Sequence, residues 1–452
     1  MQLSRILQNS RLFFAVLVAV LLVVSGTALP TMAATVEVDK TYDPPSGLNS
    51  PVQTPTSVTL SWRTVGTSVS YRVWQSKNSD MSDGVFTDTH TGNKREIRGL
   101  IPATTYYFRV RVIAADGTSL SPYSPPASFK TNISPPAPPP MTSPLRMASY
   151  NVKCADYCLG GLSWEQRRTA VVSTIIGQKP DVIGFQEAAQ TWLKSETRPN
   201  GLAQFEDLQQ RLQAAGMPYR LASSMRNNCV LSSNPGKCVY KNQGASKGTK
   251  IMFNSDNIDF VSSGSLLLPN STTADERYLA WAFLKQKKTG KTFIFADTHL
   301  NQNASSSGST ARLNQTKAIV VQLTKLNTKN LPVVIVGDMN SNNFTTPTNI
   351  PYDVLTAAGY VDPLGNTYRE VLPSSDATVE KRIRANYNSY NGLALKAPSR
   401  AANENGSYVD YIFTSKMRVG AWETVVNIDA NGQFRGVIPS DHNMIRADVQ
   451  LP

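Results

Sequence analysis

Six separated stretches of the chain end or interrupt an apolar run with polar side chains able to bind a cation or move a proton. Asn151 follows Met147 to Tyr150, and Glu187 closes DVIGFQE. Asp297 and His299 follow TFIFA, while Asp338 and Asn340 follow VVIVG. Asp410 is embedded in YVDYIF, and Asp441 and His442 precede the last apolar run. Ends of buried strands are where a rigid scaffold can present several groups to one cleft. Carboxylates gathered there repel one another unless a cation joins them. Taken singly, each residue has an ordinary explanation: an asparagine after a strand forms turns, an acid caps a helix, and Asp-His is a surface hydrogen bond. The set resists that explanation, because two of the only three histidines, His299 and His442 but not His90, fall among these acids.

The elements that must position these groups read as strands alternating with helices. Ser163-Trp-Glu-Gln166 is a capping box opening a helix with Val171, Val172, Ile175 and Ile176 at helical spacing, stopped by Lys179-Pro180. A second helix carries Leu202, Phe205, Leu208 and Leu212 and ends at Gly216; a third runs over 309–326. Strands are expected at 181–185, 280–284, 292–296, 333–336 and 408–413. The turn KKTGK at 287–291 pairs two of them as a hairpin. Parallel and antiparallel pairing therefore mix, and a doubly wound, wholly parallel sheet fits poorly.

Upstream, residues 132–144 hold six prolines in thirteen positions, an extended polyproline linker that marks a domain boundary. Before it, residues 45–131 carry short alternating runs at 58–62, 70–74, 96–100 and 106–113, separated by Asp83-Gly84, Thr91-Gly92 and Asp116-Gly117. That is the pattern of a small antiparallel sandwich. His90 falls in this turn-rich stretch and reads as a solvated loop residue.

LIPATTYYFRV, with Leu100, Pro102, Thr104, Tyr106 and Val110 at their offsets, and Trp62 in VTLSW together resemble a fibronectin type III domain. The resemblance implies that Tyr106 pins two strands at a corner and that Trp62 is a core residue. Such modules act as spacers or contact a surface, a polysaccharide or a protein, so the likeness speaks to fold.

Downstream, the ordered set SYNVK, GFQE, DTHL, GDMN, VDYIF and SDH resembles the endonuclease/exonuclease/phosphatase superfamily across nearly all of residues 145–452. The resemblance implies a four-layered α/β sandwich, two mixed β-sheets flanked by helices. It also implies in-line attack of water on phosphorus without a covalent intermediate. Asn151 and Glu187, with Asp441, would hold Mg²⁺ or Mn²⁺, hard ions that prefer oxygen ligands, in one- or two-metal form. Asp338 would deprotonate the attacking water, and Asn340 would hydrogen-bond that water or the phosphate. His299 and His442 would contact phosphate oxygens, with Asp410 orienting His442 and favouring its charged form. Arg277, in ERYLAW, stands where the deoxyribonuclease branch has a phosphate-contacting arginine; a surface salt bridge with Glu276 or Asp275 is the alternative. Tyr408 departs from the pattern, since many members carry arginine there.

Arg5, Arg11, a 13-residue apolar run from Leu12 to Val24, and the small residues up to Ala34 read as a secretory signal peptide over 1–34. A spanning helix needs about 20 apolar residues, so an uncleaved anchor fits less well. The mature chain is expected outside the cell, monomeric and without a membrane span. Export makes the four cysteines legible as two disulfides, for which the local pairs Cys154–Cys158 and Cys229–Cys238 are favoured among three connectivities. No histidine lies near either pair to suggest zinc.

Charge bears on the substrate. The chain holds 45 Lys+Arg against 32 Asp+Glu, and the part from residue 145 holds 33 against 24. Residues 217–255 carry Arg220, Arg226, Lys237, Lys241, Lys247 and Lys250 without an acid. Residues 381–400 carry Lys381, Arg382, Arg384, Lys396 and Arg400 interleaved with Tyr387 and Tyr390. Cations neutralise phosphates and tyrosines stack on bases, so both stretches suit DNA or RNA and favour a nuclease. A sphingomyelinase or phospholipase C would show an apolar hairpin, and none is read. An inositol-phosphate phosphatase and a catalytically inactive adhesion protein are the remaining alternatives. Retention of Asn151, Glu187, His299, Asp338, Asn340, Asp410, Asp441 and His442 together argues against the inactive one.

Overall fold

The computed structural model describes residues 42–452 apart from 67–68, 88, 115, 135–138, 156–157, 159, 191–192, 194–201, 225–247 and 272–275. The leader read at 1–34, Asp275, and the pair Cys229 and Cys238 lie outside the described residues.

The N-terminal body is all strand. Its elements are β1 (Asn49–Gln53), β2 (Ser57–Ser61), β3 (Ser70–Ser76), β4 (Val85–Phe86), β5 (His90–Thr91), β6 (Lys94–Arg98), β7 (Thr105–Ile113) and β8 (Ala127–Lys130). They form one sheet in the order β1-β2-β6 and another in the order β4-β3-β7-β8, with β5 pairing β3. Alternation along β7 buries Tyr106, Phe108, Val110 and Val112. The Ile101 N–H donates to the Tyr106 hydroxyl at 2.8 Å, and Trp62 packs edge-on against Tyr71 at 5.3 Å. Both residues do what the fibronectin likeness implies. His90 is a correction: it lies in a strand rather than a loop, with Nε2 2.6 Å from the Lys94 carbonyl.

The C-terminal body opens with β9 (Leu145–Asn151), α1 (Trp164–Gln178), β10 (Val182–Gln186), α2 (Gln204–Ala214), β11 (Tyr219–Leu221) and β12 (Lys250–Asn254). There follow β13 (Ile258–Leu267), β14 (Tyr278–Gln286), β15 (Thr292–His299), α3 (Ser306–Leu326), β16 (Val333–Asp338) and α4 (Ile350–Ala357). It closes with β17 (Val379–Ile383), β18 (Asp410–Thr414), β19 (Arg418–Thr424) and β20 (Ile445–Gln450). Seven strands in the order β11-β12-β10-β9-β20-β19-β17 make one mixed sheet, and five in the order β13-β14-β15-β16-β18 make the other.

The two sheets face each other across one core. Leu145, Met147 and Val182 of the first meet Phe293, Phe295, Val334 and Val336 of the second. The first sheet's other face, with Tyr150, Ile183 and Phe185, is covered by Val171 and Ile175 of α1 and Phe205 and Leu208 of α2. On the far side α3 contributes Ile319 and Leu323. The sheets approach closely at Gly184, where a Cβ would stand 2.5 Å from Val336 and 2.7 Å from Asp297. This is the four-layered α/β arrangement that the likeness implies. Among the described residues no helix is long and apolar enough to cross a membrane.

Candidate active site

Strand pairing brings the polar ends to one edge. Parallel β9 and β10 set Asn151 opposite Gln186, one residue before Glu187. Parallel β15 and β16 set His299 opposite Asp338. Antiparallel β18 enters where β16 leaves, so Asp410 lies opposite Asp338. Antiparallel β20 begins at the same edge of β9, which brings Asp441 and His442 there in the preceding turn. These groups surround a cleft of about 610 Å³ lined by Glu187, Arg277, His299, Asp338, Asn340, Asp441 and His442.

Asn151 bridges the two sheets, its Nδ2 donating to Glu187 Oε1 and to Asp338 Oδ2, each at 3.1 Å. The amide thereby supplies positive character between two carboxylates. The Cys154 N–H donates to Glu187 Oε2 at 3.0 Å. Cys154 and Cys158 form the expected disulfide, and Cys158 Sγ touches the same carboxylate oxygen at 3.0 Å. Lys153 Nζ lies 3.3 Å from Asp441 Oδ2. Glu187, Lys153 and Asn340 all adopt left-handed backbone conformations, at φ of 59°, 52° and 47°. Strain of this kind persists only where the surroundings hold it, and these three of the eleven such non-glycine residues among those described border the cleft.

His442 Nδ1 lies 2.8 Å from Asp410 Oδ2, and its Nε2 lies 3.7 Å from Asp338 Oδ2. His299 Nε2 stands 3.6 Å from the same Asp338 oxygen. Burial opposes charge on His442, but the charge and hydrogen bond of Asp410, with Asp338 and Asp441 beyond, raise its pKa to about 10. His299 moves the other way: burial first, then the charges of Arg277 and His442, hold it well below the ordinary histidine range. Asp338 is pushed up by burial and by Asp410, against the pull of His442. One imidazolium and one neutral imidazole thus flank a carboxylate poised to exchange a proton.

Asp297 is a correction. It does not follow its strand but lies within β15, fully buried, accepting from Gln186 Nε2 at 2.6 Å. Its other oxygen has no partner among the described residues, and burial raises its pKa well above the carboxylate range. It belongs between the sheets, not in the cleft. Three cations of the basic stretches are taken up by the fold, while Arg226, Lys237, Lys241 and Lys247 lie outside the described residues. Lys250 is buried, donating to Gln190 at 2.9 Å over the Phe205 ring, and burial lowers its pKa to about 7. Arg382 donates to the carbonyls of Asn403 and Glu404, and Arg384 to that of Val426. Those cations brace the scaffold. Tyr390 does reach the cleft, 50% exposed and edge-on to His442 at 5.0 Å. Arg277 donates to Gln302 at the cleft wall. Tyr408 is buried with its hydroxyl donating to the Ala385 carbonyl.

Sequence reasoning missed Arg167. Only 1% exposed, it donates to the carbonyls of Val152, Lys153, Cys154 and Pro439, tying the turn after Asn151 to the turn before Asp441. As the first of two arginines on an amphipathic helix it reads as a solvent-facing residue, and nothing in the sequence marks it out. Ser389 was missed too; its hydroxyl accepts from the N–H groups of Val409 and Asp410 and anchors the start of β18.

The oxygen donors of Asn151, Glu187 and Asp441 suit a hard divalent cation, and the neighbouring sulfurs are locked in a disulfide. Residues 148–442 match the Endonuclease/Exonuclease/phosphatase family. The chain belongs to that family. Endonuclease/exonuclease/phosphatase proteins are hydrolases of phosphate esters and generally depend on divalent metal. Residues 43–130 match the fibronectin type III domain. Among solved structures, the chain is similar to an endonuclease/exonuclease/phosphatase family protein from Bacteroides thetaiotaomicron, at 20% identity over 68% of this chain and 98% of that one, TM-score 0.48. One from Bacteroides vulgatus matches at 19% identity over 69% and 100%, TM-score 0.48. A mannosyl-6-phosphatase from Bacteroides thetaiotaomicron matches at 19% identity over 68% and 99%, TM-score 0.46. No curated protein matches the chain in sequence.

Proposed function

We propose that this phosphoesterase is an exported nuclease that hydrolyses a phosphodiester by in-line attack of water. The reading is supported above all by Asp410, His442, Asp338 and His299 standing in contact at one sheet edge. Asp410 fixes the His442 ring, so that Nε2 faces the cleft and carries a proton at neutral pH, ready to stabilise charge on a phosphoryl oxygen. Asp338, raised towards neutrality and held by the Asn340 N–H at 2.9 Å and by Asn151, accepts the proton of the attacking water. His299, neutral, hydrogen-bonds a second phosphoryl oxygen without adding a second buried charge. A magnesium or manganese ion held by Asn151, Glu187 and Asp441 would polarise the phosphate.

Nucleic acid as substrate is supported by Arg277 and the half-exposed Tyr390 at the cleft, which suit a phosphate and a base, and by the basic balance of this part of the chain. Export rests on the leader read over 1–34. A lipid phosphodiester is the second reading, favoured by Leu395, 79% exposed and five residues past Tyr390. The deciding experiment incubates the purified mature chain with double- and single-stranded DNA, RNA, sphingomyelin and phosphoinositides, with Mg²⁺ and with chelator. Chelator-sensitive cleavage of a nucleic acid is expected. Cleavage of the lipid alone, or of nothing, would overturn the reading.

A further inference from the structure

The outer face of the sheet β4-β3-β7-β8 carries interleaved rings and guanidiniums. Alternation along β3 buries Tyr71 and Val73 and turns Arg72 and Trp74 to the other side; along β7 it turns out Arg109 and Arg111. Register sets Arg72 opposite Arg111 and Trp74 opposite Arg109, with Phe86 opposite Trp74 on its other flank. The guanidinium of Arg109 lies 4.8 Å from the Trp74 ring centre and 4.3 Å from that of Tyr123. Arg111 lies 4.6 Å from Tyr123 and 5.7 Å from Phe86, and Arg72 lies 5.5 Å from Phe86. The backbone is shaped for this array: a Cβ on Gly84 would stand 1.2 Å from Trp74 Nε1. Phe86 remains 49% exposed and Val85 59%.

Three like charges lie side by side here, and among the described residues none of them forms an ion pair. Asp83, in the turn before β4, is engaged by Ser76 and by the N–H groups of Lys77 and Asn78. Exposed cation–π contacts return about 0.5–1 kcal/mol each. Like charges directly opposite across strands, as Arg72 and Arg111 are, cost a comparable amount. The five contacts outweigh that one repulsion, so the rings fix three cations side by side on one face. A guanidinium lying on a ring is held in place while N–H groups in its plane can still meet an oxyanion; the Nε atoms of Arg109 and Arg111 are themselves buried and have no acceptor among the described residues. By the strand rise, Arg109 and Arg111 stand about 7 Å apart. The guanidiniums cover the rings that a neutral sugar would stack on, which favours a polyanion.

We propose that this face is a second binding site, for single-stranded nucleic acid: the forks pair with phosphates, and the ring edges and guanidinium planes stack on bases. The choice of nucleic acid among polyanions rests on the nuclease reading. A strand held here would raise the local concentration of substrate for the linked catalytic body.

The test measures fluorescence anisotropy of a labelled single-stranded DNA oligonucleotide bound by the full mature chain in chelator, so that nothing is cleaved. The comparison is with Arg72→Gln/Arg109→Gln/Arg111→Gln, its folding checked by thermal melting. The expected result is at least about tenfold weaker binding. The slope of log K against log salt should flatten by about 2, since each lost phosphate contact removes about 0.7. Arg109→Lys, which keeps the charge and loses the fork, should weaken binding about threefold and serves if the triple variant does not fold. Unchanged affinity and salt slope in a folded variant would overturn the proposal. So would arginine-dependent binding of heparin alongside arginine-independent binding of the oligonucleotide. Cleavage of the same oligonucleotide with Mg²⁺ is scored separately. Arginine-dependent binding without cleavage sinks the nuclease reading and keeps this site; cleavage with arginine-independent binding does the reverse.

Discussion

In the C-terminal body the buried Arg167 and Arg312 are spent on the protein's own carbonyls, whereas in the N-terminal body Arg72, Arg109 and Arg111 rest on aromatic rings and form no ion pair among the described residues. Arg167 takes four carbonyls around the cleft, and Arg312, 2% exposed, takes those of Asn301 and Asn303 just after His299. A buried guanidinium must find acceptors, because leaving its donors dry is costly, and irregular turns supply carbonyls that no sheet has used. An open sheet face offers no such carbonyls, since its backbone groups are paired within the ladder; rings hold the cation instead. Formal charge in the sequence does not separate these two uses. What separates them is whether the surrounding backbone is irregular or already paired.

The comparison can be tested hardest at the cleft, where Asp338→Asn or His442→Ala should lower turnover about 1,000-fold while the melting temperature holds. Turnover within tenfold of the parent in either variant would remove the roles given to the edge. Next in size, Arg167→Met should cost about 3 kcal/mol in urea unfolding, since four carbonyls lose their donor. Arg72→Met should cost under about 1 kcal/mol. Equal costs would erase the distinction between bracing and surface arginines.

Asp410→Asn sharpens the electrostatic side. The parent's His442, with its pKa raised to about 10, keeps its proton through neutral pH and loses it above that value, so kcat/KM should fall on an alkaline limb near there. The same raised pKa stabilises the fold fully below the unfolded histidine value, and that contribution is lost as pH climbs through about 10. Without the Asp410 charge the alkaline limb should move at least about one pH unit lower. An unmoved limb would mean that another group titrates.

An effect of the opposite sign is expected at Lys250. Its pKa is about 7 when folded, against the ordinary lysine value of 10.5, so the unfolded chain holds more protons and stability rises with pH between those values. Lys250→Met should therefore be more stable than the parent by about 1–2 kcal/mol at pH 6, with the gap closing as pH approaches 10. A gap that does not depend on pH would show that the lysine is not desolvated.

What the sequence revealed followed from local pattern. The apolar runs located the strands within a few residues, and the polar residues closing them marked the cleft, because a strand's end and its register partner share an edge. Tyr106 and Trp62 were readable for the same reason: corner and core lie within the motif itself. Asp297 was misread because the partner that lets it sit between sheets, Gln186, is 111 residues away. Lys250 was misread likewise, since Gln190 and Phe205 reach it through the fold. Arg167 escaped notice because what it holds is backbone, which carries no residue-type signal. In each case the missing information was tertiary.

The strand order also bears on when the enzyme can exist during synthesis. β20 follows every other strand among the described residues yet sits between β9 and β19, near the middle of the seven-stranded sheet. Until it inserts, β9 and β19 are two open edges of a split layer, and the turn bearing Asp441 and His442 has nowhere to dock. A pairing this distant in sequence is slow to close. Assembly of the edge that bears Asp441 and His442 therefore waits on β20. Under the proposed function, topology would shield the cell that makes the enzyme for as long as that strand is kept out.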